Sequence, residues 1–202
     1  MVVLRLGPAI ALLRSGVGPR RPEHDRIATA DLIAATGRFD IAVERRPSGR
    51  PRLAPPYPEL GVSFSWRDGL LLAGFDPEGA VGVDIEPADT SGRLEPGRLA
   101  SDHFAPGEAA AVMARSGDDA LDLFLRLWVA KEAVLKLTGR GVYDGLHRPD
   151  LGWCIASISG DGTPIRLQGT PGHTAVEVAV ARPAVPGRPA PPYCALARLL
   201  QE

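Results

Sequence analysis

Cysteine, aromatic residues and net charge are all scarce in this sequence. Its 202 residues include two cysteines, Cys154 and Cys194, without Cys-x-x-Cys spacing, so neither a disulfide framework nor a cysteine zinc site is expected. We expect both to be buried free thiols in a reducing cytoplasm. The net charge is −1, whereas a nucleic-acid surface spread over the chain would make it strongly basic. Any anion site must therefore be built locally.

Long hydrophobic runs are missing as well. The apolar stretch at residues 1–16 is interrupted by Arg5, Pro8 and Arg14 and is too short to span a bilayer. We interpret it as a first β-strand and expect neither membrane association nor a cleaved leader. The hydrolase motif G-x-S-x-G fails at its last position in "GVSFS", and no phosphate-binding GxxxxGK[ST] loop is present.

Glycine and proline, by contrast, are abundant, with 23 and 20 residues. Hydrophobic residues make up 45% of the chain, which is enough for the core of one or two compact domains. Apolar spacing and turn residues predict helices at 22–36 (ending at Gly37), 105–115 and 119–139, and strands at 39–46, 60–66, 69–76, 80–86, 153–159, 164–169, 174–181 and 193–200.

The order of these elements predicts an α+β fold. One helix accompanies the first group of strands, and two helices precede a second, antiparallel group. Residues 87–100 are rich in glycine, proline and charge and are interpreted as a linker, which divides the chain into halves at 1–90 and 91–202. No internal repeat is visible in the sequence, so a duplicated architecture is a hypothesis from element order alone.

The stretch "AVGVDIEP" carries two carboxylates on one predicted strand. Asp84 and Glu86 are two positions apart, so they share a face, while Val81, Val83 and Ile85 point into a core. Neighbouring carboxylates repel each other unless something positive holds them. A lysine or arginine, water at a solvated strand end and a divalent cation are all open at this point.

A predicted helix supplies a third acid. In "LWVAKEAVLKL", Trp128, Glu132 and Lys136 recur every four residues and lie on one helix face. Glu132 and Lys136 could be an exposed ion pair, which contributes little to stability, and Trp128 could belong to the core. A functional role for this face is the competing interpretation.

Taken together, these patterns resemble the signature of the 4′-phosphopantetheinyl transferases, and more narrowly the surfactin-synthetase-activating type with two similar halves in one chain. The matching segments are "GVDIE" at 82–86, "WVAKEAVLK" at 128–136, "GRG" at 139–141, "SGRP" at 48–51, "VSFSW" at 62–66 and "FAPGE" at 104–108. The resemblance implies a fold of two α/β subdomains in pseudo-twofold arrangement, each a small, mainly antiparallel sheet packed with helices.

The resemblance also implies an activity. Members transfer the phosphopantetheine arm of coenzyme A, the co-substrate, to a serine of an apo acyl or peptidyl carrier protein, and release adenosine 3′,5′-bisphosphate. Asp84, Glu86 and Glu132 would bind Mg²⁺, and Lys136 would contact the pyrophosphate. Either Glu108 or Glu132 would act as the base. The carrier, of fatty-acid, polyketide or peptide assembly, would dock near residues 104–124 of a cytoplasmic monomer.

Coenzyme A contacts are implied for a further group of residues: Arg26, Arg50, Ser65, Trp66, Arg67 and Lys131. Arg50 in the "GRP" turn is the best match, and Lys131 is either a phosphate contact or a solvated helix residue. Trp66 stands where the family usually has a histidine, so Arg67 would have to supply the missing cation. This difference leaves an alternative, an impaired family member that only binds carrier protein or nucleotide.

Overall fold

The computed structural model describes residues 2–6, 9–87, 94–139, 145–147, 165–167, 175–182 and 193–201. Its elements in chain order are β1 (Val2–Leu6), β2 (Ala9–Arg14), α1 (Arg21–Thr36), β3 (Val43–Arg45), β4 (Pro51–Leu53), β5 (Gly61–Arg67), β6 (Leu70–Asp76), β7 (Gly82–Pro87), α2 (Pro96–His103), α3 (Pro106–Met113), α4 (Gly117–Thr138), β8 (Ile165–Leu167), β9 (Ala175–Arg182) and β10 (Tyr193–Gln201). The strand predicted at 153–159, Cys154 and the side chain of Cys194 lie outside the description.

A four-stranded antiparallel sheet in the order β1-β2-β6-β5 forms the first layer. The N-terminal segment is a pair of strands rather than the single strand that we expected, and Gly7 and Pro8 between them are turn-forming residue types. Helix α1 packs on this sheet through Ala28 and Leu32, which lie in one apolar cluster with strand residues. The helix predicted at 22–36 is thus confirmed.

The strand predicted at 39–46 shrinks to β3, because Phe39 and Asp40 form an exposed turn. Strand β3 pairs with β4 in a short antiparallel hairpin. The turn between them includes Gly49, whose φ of 81° lies in the left-handed region that glycine adopts without strain. This hairpin carries Arg50 to the middle of the molecule.

The second sheet has the order β7-β9-β10-β8. Its first two pairings are antiparallel, whereas β8 lies parallel to β10. Strand β7, from before residue 90, hydrogen-bonds to β9, from well after it. The α+β class is confirmed, while the division at residue 90 and the pseudo-twofold relation of two similar halves stay predictions.

Three helices follow β7 in the chain. The end of the predicted linker 87–100 is helical, since α2 begins at Pro96, whose ring favours the first helical turn, and buries Ala100. Helices α3 and α4 confirm the two predicted helices, and α4 ends at Gly139 as expected. None of the described helices has the length and apolar character needed to cross a membrane.

Helix α4 packs directly on β7, and Gly82 makes this approach possible. A Cβ at Gly82 would overlap the carbonyl oxygen of Ala133 and would lie 2.5 Å from the amide nitrogen of Leu137. Both are backbone atoms of α4, so the whole helix would have to move. On the other face of β7, Val81 and Val83 contact the position of Gly74 in β6, as the predicted alternation requires.

We therefore expect Gly82→Ala to lower the free energy of unfolding by about 3 kcal/mol, the upper part of the range for overpacked cores. Urea unfolding followed by circular dichroism measures the change. Gly107→Ala in α3 is the matched control, because a Cβ there meets nothing within 4 Å and alanine suits a helix. Equal unfolding midpoints for Gly82→Ala and the wild type would contradict the packing described here.

Candidate active site

Asp84 joins three elements through one carboxylate oxygen. Its Oδ1 accepts a hydrogen bond from the Ser65 hydroxyl of β5 at 2.7 Å and one from the Lys136 ammonium of α4 at 2.6 Å. Lys136 also donates to Ser65 Oγ at 2.9 Å. The Asp84 side chain is 6% exposed and that of Lys136 is 29% exposed. The predicted neighbours Asp84, Ser65 and Lys136 are therefore brought together by the fold.

The other carboxylate oxygen of Asp84 is buried and has no hydrogen-bond partner among the described residues. Buried polar atoms without a partner are rare, because burial removes their hydrogen bonds to water and no other bond replaces them. A cation or a hydrogen-bond donor at this oxygen would offset the free-energy cost of burying it away from water. As far as the described part of the chain goes, Asp84 Oδ2 is thus open to coordination.

The negative charge of Asp84 acts on the pKa values of Glu86 and Glu132. Burial, with a further contribution from the Asp84 charge, raises the pKa of Glu86 to about 7. The pKa of Glu132 is raised by the same two causes, burial first. Arg67 opposes this for Glu86, with its Nε 3.0 Å from Glu86 Oε2. Because the Asp84 charge disfavours ionisation of both glutamates, an added cation would stabilise their charged forms.

The donor chemistry fits a hard divalent cation such as Mg²⁺, which prefers carboxylate oxygens. Within the described ranges, however, no group of three or more His, Cys, Asp or Glu side chains could hold a metal ion as it stands. Lys136 forms an ion pair with Asp84, and Arg67 forms one with Glu86. A metal would require these side chains to rearrange, so the predicted ligand set stays a prediction.

A cleft of about 550 Å³ lies beside these acids, and both Glu132 and Lys136 line it. Three guanidinium side chains line it as well, those of Arg21, Arg45 and Arg50. The remaining wall includes Ser65, Phe64, His24, Trp66 and the turn residues Ser48 and Gly49 before Arg50. A cleft with several cations and aromatic faces suits an anionic ligand that carries a planar ring.

Arg50 is a partly buried cation of the cleft. Burial lowers its pKa, and repulsion from Arg46 adds to the effect. Its Nη2 donates to the Leu137 carbonyl of α4 at 2.9 Å, and no carboxylate among the described residues pairs with it. Arg45, by comparison, forms an ion pair with Asp25. Arg50 is therefore available to an anionic group that enters the cleft.

His24 is a cleft residue that the sequence analysis missed. Its ring stacks on Trp66 with 5.3 Å between centroids and 18° between planes. Its Nε2 donates to the Gly18 carbonyl at 2.7 Å, and Trp66 Nε1 donates to the Val17 carbonyl at 3.2 Å. The two rings thus fix the loop before α1. No sequence spacing links residues so far apart, so no local signal could have indicated the contact.

Arg26 and Arg67 do not line the cleft. Arg26 is exposed on α1. Arg67 pairs with Glu86 and does not line the cleft, although Ser65, on the same face of β5, does. Its role as the cation that replaces the family histidine stays a prediction.

Glu108 and Lys131 form a buried ion pair outside the cleft. Their charged atoms are 2.5 Å apart, and both side chains are 0% exposed. Glu108 Oε2 also accepts the Ala105 amide proton at 3.0 Å, and Lys131 lies 5.2 Å from the centre of the Phe104 ring. The pair fastens α3 to α4. With no exposed surface, neither side chain can reach a substrate in this conformation.

Comparison with known proteins gives a family match over the second half of the chain. The model of the 4′-phosphopantetheinyl transferase superfamily matches residues 80–188, more than half of the sequence. This range includes Asp84, Glu86, Glu132 and Lys136, whereas Arg50 and Ser65 lie before it. The match therefore covers the acids and the helix that faces them.

Three curated proteins illustrate the similarity. The 4′-phosphopantetheinyl transferase HetI of Nostoc sp. is 30% identical over 134 residues, which are 60% of this chain and 55% of HetI. The L-aminoadipate-semialdehyde dehydrogenase-phosphopantetheinyl transferase of Xenopus laevis is 31% identical over 116 residues, 54% of this chain and 38% of that protein. The 4′-phosphopantetheinyl transferase AcpT of Escherichia coli K12 is 38% identical over 92 residues, 45% of each chain. The chain spans about half the length of the curated relatives that it matches.

Proposed function

The chain belongs to the 4′-phosphopantetheinyl transferase superfamily, and on that premise we propose that it transfers the phosphopantetheine arm of coenzyme A to a serine of an apo acyl or peptidyl carrier protein. Adenosine 3′,5′-bisphosphate is the second product. The observation that carries the proposal is that Glu132 and Lys136 line one cleft with three arginines, and that Lys136 binds Asp84 beside it.

Attack on a pyrophosphate requires mainly positioning and charge neutralisation, because the attacking serine and the phosphate oxygens repel each other. Asp84, Glu86 and Glu132 would hold Mg²⁺, which supplies charge neutralisation at the pyrophosphate when it is bound. The open oxygen Asp84 Oδ2 and the raised pKa values of both glutamates support this assignment.

Lys136 and Glu132 have distinct roles in the proposal. Lys136 reaches into the cleft from one turn beyond Glu132 and would donate hydrogen bonds to a phosphate oxygen. Glu132 would accept the proton of the carrier serine, since it lines the cleft and Glu108 does not.

The phosphates at the adenosine end of coenzyme A would lie against Arg50, with Arg21 and Arg45 nearby. Arg50 lacks a carboxylate partner among the described residues, so a phosphate would offset its partial burial. The Trp66 and His24 rings supply planar faces in the same cleft. An impaired, binding-only protein is not favoured, because the acids and Lys136 are all present. Docking near 104–124, a monomeric state and a cytoplasmic location stay predictions.

A direct assay tests the proposed function. Incubation with coenzyme A, Mg²⁺ and a panel of apo carrier proteins is expected to raise the mass of at least one carrier by a single phosphopantetheine arm, as detected by intact-protein mass spectrometry. Chelation of the divalent cation is expected to stop the reaction, since the acids would lose their counter-ion. No mass gain with any carrier, from a protein with a cooperative unfolding transition, would overturn the proposal.

A further inference from the structure

Two helices of the chain end in the same way but in different surroundings. Gly37 ends α1 with φ 70° and ψ 12°, and Gly139 ends α4 with φ 73° and ψ 12°. A Cβ at Gly37 would meet nothing within 4 Å. A Cβ at Gly139 would overlap Arg50 Nη1 and lie 3.4 Å from Arg50 Cζ. The backbone geometry is shared, so the difference between these glycines is the presence of Arg50.

The guanidinium of Arg50 occupies the C-terminal end of α4. It donates to the Leu137 carbonyl, one of the last carbonyls of a helix, which have no partner within the helix. The negative end of the helix dipole favours a cation at this position. The same helix carries Glu132 and Lys136, so the contact ties Arg50, from the β3–β4 hairpin, to the acid and the lysine of the cleft.

We infer that Gly139 is a positioning residue for Arg50: the bare backbone at the end of α4 leaves the space in which the guanidinium lies against the Leu137 carbonyl and faces the cleft. Any side chain at residue 139 displaces the guanidinium. The inference rests on the proposed function, because it assigns a phosphate of coenzyme A to Arg50.

The displacement is expected to affect ligand binding more than folding. The atom in the way is the far end of a flexible side chain, which can shift at little cost, whereas the overlap at Gly82 involves backbone. Alanine in the left-handed conformation is strained at residue 139 and at residue 37 alike. Gly37→Ala therefore reproduces the backbone effect of Gly139→Ala without touching Arg50.

The experiment compares four proteins with the wild type: Gly139→Ala, Gly37→Ala, Arg50→Gln and the double variant Gly139→Ala/Arg50→Gln. Isothermal titration with coenzyme A gives Kd, and thermal unfolding gives Tm. The two glycine variants are expected to show similar decreases in Tm relative to the wild type. Of the two glycine variants, only Gly139→Ala is expected to weaken coenzyme A binding, by about tenfold, as loss of a charge-assisted hydrogen bond would.

The double variant tests whether the two residues act together. It is expected to bind no more weakly than Arg50→Gln alone, because Gly139 acts through Arg50. If Gly139→Ala binds like Gly37→Ala while Arg50→Gln is impaired, the positioning role is overturned and the proposed function stands. If Arg50→Gln binds like the wild type, both the phosphate contact and the positioning role are overturned. A wild type that does not bind coenzyme A overturns the proposed function, and the inference with it.

Discussion

Asp84→Asn is expected to reduce the rate constant of phosphopantetheine transfer by at least about a hundredfold, the size of effect seen when one group that stabilises transition-state charge is removed. The substitution keeps the shape of the side chain but removes its charge. Lys136 and Ser65 then lose their anionic partner, and the open Oδ2 position loses its attraction for a cation. The time course of carrier modification by mass spectrometry measures the rate.

Asp31→Asn is the matched control. The side chains of Asp31 and Asp84 are both 6% exposed, and each forms an ion pair with a cation, Arg14 in the case of Asp31 and Lys136 in the case of Asp84. Asp31 lies on α1 and does not line the cleft. We expect this variant to lose stability but to keep the rate constant of the folded protein. Equal loss of rate in the two variants would contradict a specific role for Asp84.

The second large effect is expected in stability. Lys131→Met keeps the length of the side chain but leaves the Glu108 carboxylate buried without its cation. Removing one partner of a buried ion pair costs about 3–5 kcal/mol, because the remaining charge stays buried after losing its counter-charge. Urea unfolding of the variant is expected to show a loss of this size.

Two further proteins separate the ion pair from simple loss of packing. The double variant Lys131→Met/Glu108→Gln removes both charges and is expected to regain more than half of the lost stability. Arg52→Met, which removes one partner of an ion pair exposed by 46% and 45%, is expected to change stability by less than about 1 kcal/mol. A double variant less stable than Lys131→Met alone would mean that the burial of charge is not the cause.

The same variants bear on two interpretations from the sequence. If Lys131 contacted a phosphate, or if Glu108 were the base, the folded fraction of the double variant would lose coenzyme A affinity or transfer rate. The buried pair predicts that the folded fraction keeps both. Activity measured well below the unfolding transition, with the folded fraction taken from circular dichroism, distinguishes these outcomes.

Local patterns were sufficient for the elements that carry the site. Alternation in "AVGVDIE" placed Asp84 and Glu86 on one face of a strand, and the four-residue spacing placed Glu132 and Lys136 on one face of a helix. The glycines that end α1 and α4 were predicted for the same reason, since left-handed caps favour glycine. Each of these features depends on residues a few positions apart in one element.

Packing between distant elements determined which charges meet. Lys136 donates a hydrogen bond to Asp84, 52 residues away in the sequence, and Arg50 donates one to the Leu137 carbonyl, 87 residues away. Arg67 neutralises Glu86, Glu108 and Lys131 are buried together, and His24 stacks on Trp66. Spacing along the chain predicts on which face of a helix or strand a side chain lies. It does not predict which residue of another element that side chain contacts. The acids and the helix signature were therefore readable in the sequence, whereas their partners depended on how β7, α4 and the β3–β4 hairpin pack.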